Sequence, residues 1–392
     1  MKIKLGVIFG GATVEHEVSI ISAVQAINHL NTDKYDIYPI YIAKDRSWYT
    51  GAMLMDIDIY RDFETLKKYA KKVVLFNNNG KFTLQSLGLF KKNVVDLDIV
   101  LPVVHGNNVE DGTLQGYLET IGIPYVGSGV LGSSLGQDKV VMKQVFESSD
   151  INIVPYTWFF DSEFYQDKDK IFKNIKKLGY PVVVKPATLG SSIGITYVKD
   201  EKNLESAINE AINYDNKVVV EKAIENLVEV NCSVLGNYDA QEASVLEEVM
   251  STAEFLTYQD KYIGKGKTKG ASKGMAGASR VIPARISDEM TLRVQEMAKN
   301  AFKALNLSGV CRIDFLINGK TGEIYINEPN TIPGSLSFYL WEKTDKTYSE
   351  LLDEMITIAI KQYKTKHNKT YSFDTNILSN YNGTKGCKGK LK

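Results

Sequence analysis

The residues with the clearest chemical potential lie in the segment VCRIDFLINGKTGEIYINEPNTIPG at positions 310–334. Its glycine-containing centre, NGKTG at 318–322, separates two runs of β-forming residues and predicts a hairpin. Folding the segment about Thr321 places Asp314 opposite Glu328, on one face of the two strands. Like charges that face each other directly destabilise a β-ladder. The pairing therefore favours a positive group held between the two carboxylates.

A second pair on the same face, Arg312 with Asn330, indicates what that positive group is. Carboxylate and amide oxygens are hard ligands that suit Mg²⁺, and an arginine beside them suits nucleotide phosphates. Asp314, Glu328 and Asn330 are therefore the candidate metal ligands. The alternative is a solvated hairpin whose charges face water, and the segment alone favours the metal site.

A loop of small residues, KPATLGSSIG at 185–194, is a candidate phosphate-binding loop. Small side chains let backbone N–H groups approach a phosphate closely, and Lys185 adds a positive charge. The loop lacks the spacing of a Walker motif and joins two predicted strands rather than a strand and a helix. By itself the pattern fits a tight hairpin equally well.

Several isolated polar residues each allow a structural and a functional interpretation. Lys139 starts a helix, where most lysines are solvated. Glu221 and Glu229 flank a stretch between two strands, where they can bind an adenine amino group and ribose hydroxyls or simply face solvent. Glu15 opens the first helix, where a carboxylate also favours the positive end of the helix dipole. His105 ends an apolar strand, where a structural histidine is the common outcome.

The elements that must position these residues follow an α/β pattern. The apolar run 4–9, the helical spacing of 14–30 and the strand-like run 37–42 form a βαβ start, which predicts a parallel sheet. A further buried strand, 97–104, ends directly before His105. Ligands collect at the carboxyl ends of such strands, which places His105 near a site.

Composition excludes several function classes. Lys and Arg together number 47, as do Asp and Glu, so no net field attracts nucleic acid or an anionic membrane. The 3 cysteines lie far apart, without metal-ligand spacing, which indicates a reducing, cytoplasmic compartment. No stretch approaches the ~20 apolar residues of a membrane helix. The N-terminal apolar run is too short for a signal peptide.

Together, and in this order, the motifs resemble the D-alanine–D-alanine ligases of the ATP-grasp superfamily. Each motif alone is weak, but the set is specific and spans about 3–362. The matching segments are GGATVEHEVS (10–19), HGNNVEDGTLQG (105–116), YVGSG (125–129), DK (138–139), VVVKPATLGSSIG (182–194), VEKAIENLVEVN (220–231), DKYIG (260–264), CRIDF (311–315) and NEPNTIPG (327–334).

The resemblance implies an α/β protein of three-domain ATP-grasp architecture. An N-terminal parallel α/β domain at 1–138 would bind substrate, and two α+β domains, at 139–221 and 222–372, would sandwich ATP. A lid at 254–282, rich in glycine and lysine, would belong to the last of these domains. Residues 373–392 are too polar to fold alone and are expected to form a disordered tail.

The implied reaction has two steps and uses ATP with two Mg²⁺ ions, Mn²⁺ being an alternative. ATP phosphorylates the carboxylate of one D-alanine, and the amine of a second attacks the acyl phosphate to give D-alanyl-D-alanine for peptidoglycan. A homodimer is expected. The alternative is a ligase of the same fold that accepts D-serine. D-lactate is disfavoured, because lactate-forming relatives use a lid histidine where this chain has Tyr262.

Site residues carry over motif by motif. The implied ATP-binding residues are Lys139, Lys185, Gly190, Ser191, Ser192, Glu221, Lys222, Ala223 and Glu229. The implied metal ligands are Asp314, Glu328 and Asn330, the same residues that the predicted hairpin brings onto one face. Arg312 and the peptide N–H of Gly334 would stabilise the acyl phosphate and the tetrahedral oxyanion.

The two amino-acid subsites are also implied. Glu15 and His105 would hold the ammonium side of the first substrate. Glu15, Ser191 and Tyr262 resemble a hydrogen-bonded catalytic trio that joins the N-terminal domain, the phosphate loop and the lid. Lys261 lies beside Tyr262 on that lid. The segment SLSFYLWEKT at 335–344, directly after Gly334, departs from the serine-rich pattern of the family's second-substrate site. The candidates there are Ser335, Ser337 and Tyr339.

Overall fold

The computed structural model describes residues 2–88, 92–250 and 279–370. Within these ranges the chain forms three β-sheets with helices packed on them. Most of the predicted lid, 254–278, and the whole predicted tail, 373–392, lie outside the described residues.

The first sheet has seven strands in the order β6-β5-β4-β3-β2-β1-β7. They are β1 (Ile3–Gly10), β2 (Tyr35–Ile42), β3 (Trp48–Thr50), β4 (Lys71–Asn78), β5 (Lys81–Ser86), β6 (Asn93–Leu97) and β7 (Ile99–Val104). The pairs of β1 with β2 and with β7 are parallel, whereas those from β2 through to β6 are antiparallel. The sheet is therefore mixed, and the prediction of a parallel sheet holds only for its β2-β1-β7 part.

The helices along this part of the chain are α1 (His16–His29), α2 (Phe63–Tyr69), α3 (Thr113–Ile121) and α4 (Val130–Gln137), with 3-10 turns at Ala52–Met55 and Ile57–Arg61. The turn between β1 and α1 requires glycine at position 10. Gly10 has a φ of +90°, and an added Cβ would lie 2.2 Å from the Ile42 carbonyl oxygen. This turn places Glu15, directly before α1, at the carboxyl end of the sheet.

The second sheet is antiparallel, in the order β10-β9-β11-β8. Its elements are α5 (Lys139–Ser148), β8 (Tyr156–Phe160), α6 (Asp161–Gln166), α7 (Lys168–Leu178), β9 (Val182–Pro186), β10 (Thr196–Val198), a 3-10 turn at Glu201–Asn203, α8 (Leu204–Ile212) and β11 (Lys217–Lys222). Strands β9 and β10 flank the predicted phosphate loop, so that strand–loop–strand prediction is confirmed. Lys139 opens α5, which buries Met142 and Phe146 in the core beneath the third sheet.

The third sheet is also antiparallel, in the order β14-β13-β12-β15-β16. Its elements are β12 (Leu227–Gly236), β13 (Gln241–Met250), β14 (Ser279–Val281), α9 (Asp288–Ala304), β15 (Gly309–Asn318), β16 (Ile324–Asn330), a 3-10 turn at Gly334–Ser337, α10 (Phe338–Glu342) and α11 (Tyr348–His367). Across the described ranges, no helix is both long and apolar enough to cross a lipid bilayer.

Side-chain alternation along β15 gives the third sheet a core face and a polar face. Cys311, Ile313 and Phe315 are fully buried among the apolar side chains of β12 and α9. Arg312 and Asp314 point to the opposite face. A one-residue slip would move Asp314 into the core and expel side chains worth about 1.5–3 kcal/mol each, so the register is strongly specified.

Candidate active site

The hairpin of β15 and β16 places its polar residues as the sequence predicts. Arg312 pairs with Asn330, and Asp314 pairs with Glu328. The register shifts directly after the second pair, because Asn327 is an extra residue in β16. Because of this bulge, Asp314 lies opposite Glu328 rather than Asn327, which is the pairing that folding about Thr321 predicts. Both predicted pairs, and the shared face, are confirmed.

Each of the two opposed carboxylates is held by a cation of the protein. The Arg312 guanidinium donates hydrogen bonds to both oxygens of Asp314, at 2.7 and 2.9 Å. The Asn330 amide donates to the same carboxylate at 3.2 Å. Lys139 forms an ion pair with Glu328 at 3.0 Å. Burial opposes the charge of Arg312, but Asp314 outweighs burial and raises the pKa of the guanidinium, so this cation stays charged.

The neighbouring wall is a buried lysine–glutamate triad of Lys143, Lys185 and Glu221. Glu221 is paired with Lys185 at 2.6 Å and with Lys143 at 2.9 Å. Burial would raise the pKa of Glu221, but the two lysines lower it to about 2. Because two ammonium groups face one carboxylate, the wall favours a bound phosphate. Lys143 was not identified from the sequence, although it follows Lys139 by one helical turn and shares its face.

The phosphate loop between β9 and β10 contacts the start of α1. The hydroxyl of Ser191 donates a hydrogen bond to the Glu15 carboxylate. An added Cβ at Gly190 would lie 3.0 Å from Glu15 Oε2, so this close approach favours glycine. The structure thus brings together Glu15 and Ser191, two members of the predicted trio. The third member, Tyr262, and its neighbour Lys261 lie outside the described residues.

The predicted adenine-binding segment directly follows Glu221 at the end of β11. The ammonium of Lys222 donates to two carbonyl oxygens of the segment 179–181, at 3.1 and 3.0 Å. The peptide N–H of Ala223 donates to a third carbonyl of that segment, also at 3.1 Å. These bonds hold the backbone beside the cavity in one conformation.

His105 lies directly after β7, buried against α1. Its Nε2 is 3.0 Å from the Ser22 hydroxyl. Burial lowers the pKa of the imidazole to about 4, so the ring is neutral at pH 7. The same Ser22 oxygen accepts a hydrogen bond from the peptide N–H of Ser335 at 2.9 Å. One serine therefore joins a first-substrate candidate to a second-substrate candidate.

Glu110 forms a link between the loop after β7 and the end of β16, termed the Glu110 link. Its carboxylate accepts hydrogen bonds from the N–H groups of Gly106 and Ile332, at 2.9 Å each, and from the Thr331 hydroxyl at 3.1 Å. Burial, with a smaller contribution from Glu15, raises the pKa of Glu110 to about 7. Sequence reasoning missed this residue; its signal was an acidic residue in a polar segment between glycines, directly after a buried strand.

A left-handed turn follows Gly334. Ser335, Leu336 and Ser337 have φ values of +52°, +52° and +51°, a conformation that is costly for residues other than glycine. The hydroxyl of Ser335 donates to Gln25 at 2.6 Å. Ser337 is fully buried, and its hydroxyl has no hydrogen-bond partner among the described residues.

Most of the predicted site residues surround one cavity between the three sheets. Those that line it are Glu15, His105, Lys139, Lys185, Gly190, Ser191, Ser192, Glu221, Lys222, Ala223, Glu229, Arg312, Asp314, Glu328, Asn330 and Gly334. Within the described part of the chain, Ser335, Ser337 and Tyr339 do not line it. Tyr339 instead donates its hydroxyl to Glu247, which does. The arrangement can hold a polyphosphate and an anionic reaction centre.

Two family models match this chain. The D-ala D-ala ligase N-terminus matches residues 4–128, and the D-ala D-ala ligase C-terminus matches residues 145–357. The chain is similar to the D-alanine–D-alanine ligase of Thermosipho melanesiensis, with 42% identity over 378 residues. That alignment covers 96% of this chain and 98% of the relative.

Solved structures show the same relationship. The VanG D-Ala:D-Ser ligase from Enterococcus faecalis aligns with a TM-score of 0.76 and 32% identity, over 92% of this chain and 100% of that chain. The D-alanine–D-alanine ligase from Bacillus anthracis complexed with ATP aligns with a TM-score of 0.66 and 26% identity, over 93% of this chain and 99% of that chain. The predicted resemblance and fold class are confirmed. The chain belongs to the D-alanine–D-alanine ligase family.

Proposed function

We propose that the chain joins two D-alanine molecules into D-alanyl-D-alanine for peptidoglycan synthesis, with ATP as the energy source. One observation carries the proposal. A single cavity brings together lysines suited to phosphates, opposed side-chain oxygens suited to a divalent ion, and the guanidinium of Arg312. Family membership supplies the identity of the substrates.

The nucleotide would lie along the lysine–glutamate triad. The ammonium group of Lys185 donates to the side-chain oxygen of Asn327 at 3.3 Å, and it is also paired with Glu221. Phosphate oxygens can replace such neutral and charged partners without leaving the ammonium group unpaired. Lys139 and the loop of Gly190, Ser191 and Ser192 would hold the same phosphates. The backbone at 222–223, with Glu221, would bind adenine, and Glu229 would bind the ribose.

Asp314, Glu328 and Asn330 would hold Mg²⁺, two ions when ATP is bound, with Mn²⁺ as an alternative. The donor set fits such an ion, since two carboxylates and an amide share one face. When bound, the metal would neutralise charge on the transferred phosphoryl group. The chain's own part is to orient the ligands: Arg312 holds Asp314, and Lys139 holds Glu328.

Acyl transfer would take place at Arg312 and Gly334. Glu15 and His105 would hold the ammonium of the first D-alanine, the donor, and a neutral imidazole does not repel that charge. The carboxylate of this donor takes the γ-phosphoryl group of ATP, as the bond from that group to ADP breaks. The free amine of the second D-alanine, the acceptor, then forms the C–N bond as the C–O bond to phosphate breaks, and inorganic phosphate and the proton lost by the amine are released. Arg312 and the Gly334 N–H would stabilise the oxyanion.

The domain division at 1–138, 139–221 and 222–372, with 254–282 as the lid, is part of the proposal. Closing the lid would exclude water from the acyl phosphate, with Tyr262 completing the trio and Lys261 near phosphate. A homodimer in the cytoplasm is proposed from family resemblance. The tail at 373–392 would be dispensable.

D-serine is the second candidate acceptor, because the VanG D-Ala:D-Ser ligase is among the solved structures that this chain resembles.

Product identity tests the proposal. The protein is incubated with ATP, Mg²⁺ and D-alanine, alone and in competition with D-serine or D-lactate, and phosphate release and product mass are measured. D-alanyl-D-alanine is expected as the dominant product. A dominant D-alanyl-D-serine would favour the second candidate, and no phosphate release with any acceptor would overturn the ligase assignment.

A further inference from the structure

Glu247 and Tyr339 form a buried polar cluster with Asn231 and Arg280 beside the proposed reaction centre. The hydroxyl of Tyr339 and the amide of Asn231 both donate to Glu247 Oε1, each at 2.9 Å. The guanidinium of Arg280 lies over the Tyr339 ring, 5.1 Å from its centroid. The cluster thus joins three strands, β12, β13 and β14, to α10, the helix that follows the left-handed turn.

The second oxygen of Glu247 faces Arg280. Glu247 is fully buried, and its Oε2 has no hydrogen-bond partner among the described residues. This atom lies 3.6 Å from Nη1 of Arg280, which is longer than a hydrogen bond. Glu247 therefore orients the guanidinium by charge, and Tyr339 orients it by its ring face.

The register of the third sheet puts this cluster in line with the proposed metal ligands. Glu247 pairs with Asn231, Asn231 pairs with Asp314, and Asp314 pairs with Glu328. All four side chains therefore share one face and line one cavity. Arg280 lines the same cavity and is part-exposed, with 19% of its side-chain surface accessible.

The proposed reaction brings two separate anionic groups into this cavity. One is the acyl phosphate of the donor, beside Arg312. The other is the carboxylate of the acceptor, which has to be held while its amine reacts. Arg312 already makes two hydrogen bonds with Asp314 and would act at the acyl phosphate. A second cation in the cavity would suit the acceptor carboxylate.

We propose that Arg280, oriented by Glu247 and Tyr339, binds the carboxylate of the acceptor amino acid. The inference rests on the proposed function. Guanidinium and carboxylate match each other in a planar, paired hydrogen-bond geometry. Glu247 and Tyr339 act through Arg280 and are positioning residues, which explains why Tyr339 bonds to a buried carboxylate instead of lining the cavity.

Arg280→Met tests the proposal directly. It should raise the KM for the acceptor D-alanine about tenfold to a hundredfold, as expected for loss of a charged hydrogen-bonded contact. The KM for ATP should change less than twofold. Arg280→Lys keeps the charge without the planar fork and should recover part of the loss. The matched control is Arg285→Met, since Arg285 bonds to Glu248 at an exposed position and does not line the cavity.

Hydroxylamine separates acceptor binding from the earlier steps. It attacks D-alanyl phosphate to give the hydroxamate and free phosphate, and it has no carboxylate for Arg280 to bind. Arg280→Met should therefore make hydroxamate at the wild-type rate, which also shows that the variant is folded. D-alaninamide, whose carboxylate is neutralised, should be a poor acceptor for the wild type and equally poor for the variant.

Glu247→Gln and Tyr339→Phe test the positioning roles. Glutamine can still accept from Tyr339 but carries no charge, so its acceptor KM should rise by less than that of Arg280→Met, with kcat nearly unchanged. An unchanged acceptor KM in Arg280→Met, or an equal loss of hydroxamate and dipeptide, would overturn the inference alone. A wild type that makes neither product would overturn the proposed function, and the inference with it.

Discussion

Two buried glutamates of one cavity, Glu221 and Glu110, have opposite electrostatic surroundings. Glu221 lies between two lysines, which lower its pKa to about 2 against the effect of burial. Glu110 lies among peptide N–H groups and a hydroxyl, and burial raises its pKa to about 7. Hydrogen bonds from neutral donors do not offset the desolvation of a carboxylate as counter-charges do.

The difference separates two kinds of region. On the wall that would face ATP, three acids each have a basic partner within 3.0 Å: Glu221 with Lys185, Asp314 with Arg312, and Glu328 with Lys139. The Glu110 link joins two chain segments and titrates near neutral pH. Glu221 stays charged where phosphates would bind, whereas Glu110 titrates where segments of the chain meet.

Arg312→Ala should have the largest effect of the variants that probe this comparison. If the Arg312 guanidinium stabilises the oxyanion, kcat should fall about 10²–10³-fold, as for loss of an oxyanion-stabilising group. Nucleotide affinity should stay near the wild-type value, because the lysine–glutamate triad remains intact. Steady-state kinetics and nucleotide titration measure the two quantities. Arg285→Ala is the control, and unchanged turnover in Arg312→Ala would remove this residue from the mechanism.

Lys143→Met should cause a large loss in the free energy of unfolding, because it leaves part of the Glu221 charge without a partner. Breaking a buried ion pair by removing one partner costs about 3–5 kcal/mol, and the lower end is expected since Lys185 still faces Glu221. Urea unfolding measures the loss. The double variant Lys143→Met with Glu221→Gln removes the uncompensated charge and should recover at least half of the stability. A double variant with a lower free energy of unfolding than the single variant would show that Lys143 contributes by packing instead.

Glu110 should give the protein a pH-dependent stability that Glu221 does not give in the same range. Because the folded-state pKa of Glu110, about 7, is above its ordinary value of 4.5, the folded state binds the proton more tightly. Its contribution is complete below about pH 4.5 and is lost as the pH rises towards 7. Between pH 5 and 7 the loss is about 2–3 kcal/mol, at about 1.4 kcal/mol per pH unit.

Glu110→Gln isolates that effect. The variant should lack the decline in unfolding free energy between pH 5 and 7, so its deficit relative to wild type should be larger at pH 5 than at pH 8. Urea unfolding at several pH values measures the two curves. Parallel curves would show that Glu110 does not titrate in this range.

Local signals explain which parts of this molecule could be predicted. In the hairpin of β15 and β16, the pairs Arg312 with Asn330 and Asp314 with Glu328 could be predicted because the turn and its two strands are contiguous in sequence. Strands β3 to β6 were missed, although the run NNNG at 77–80 between two alternating segments is a hairpin signal of the same kind. These strands carry exposed polar side chains, such as Lys71 and Lys72 in β4, and such side chains weaken the apolar pattern that marks a buried strand.

Contacts between helices and strands that are distant in sequence could not be predicted in this way. Lys143 with Glu221, and Tyr339 with Glu247, join residues far apart in sequence whose partners only the assembled fold selects. Each residue alone is indistinguishable from a surface charge or a core aromatic. The family resemblance supplied positions at the cavity, but it did not supply these positioning contacts, since they depend on the neighbours present in this chain.

The left-handed turn follows the Glu110 link in sequence and should give the smallest effect. Ser337→Gly should raise the free energy of unfolding by about 1 kcal/mol, because glycine adopts a φ of +51° without strain and removes a buried hydroxyl that lacks a partner among the described residues. Ser335→Gly is the matched control, since it has the same backbone but loses the hydrogen bond to Gln25 and should gain less. Urea unfolding of both variants measures the difference. A Ser337→Gly protein less stable than wild type would mean that the serine side chain fills space that glycine leaves empty.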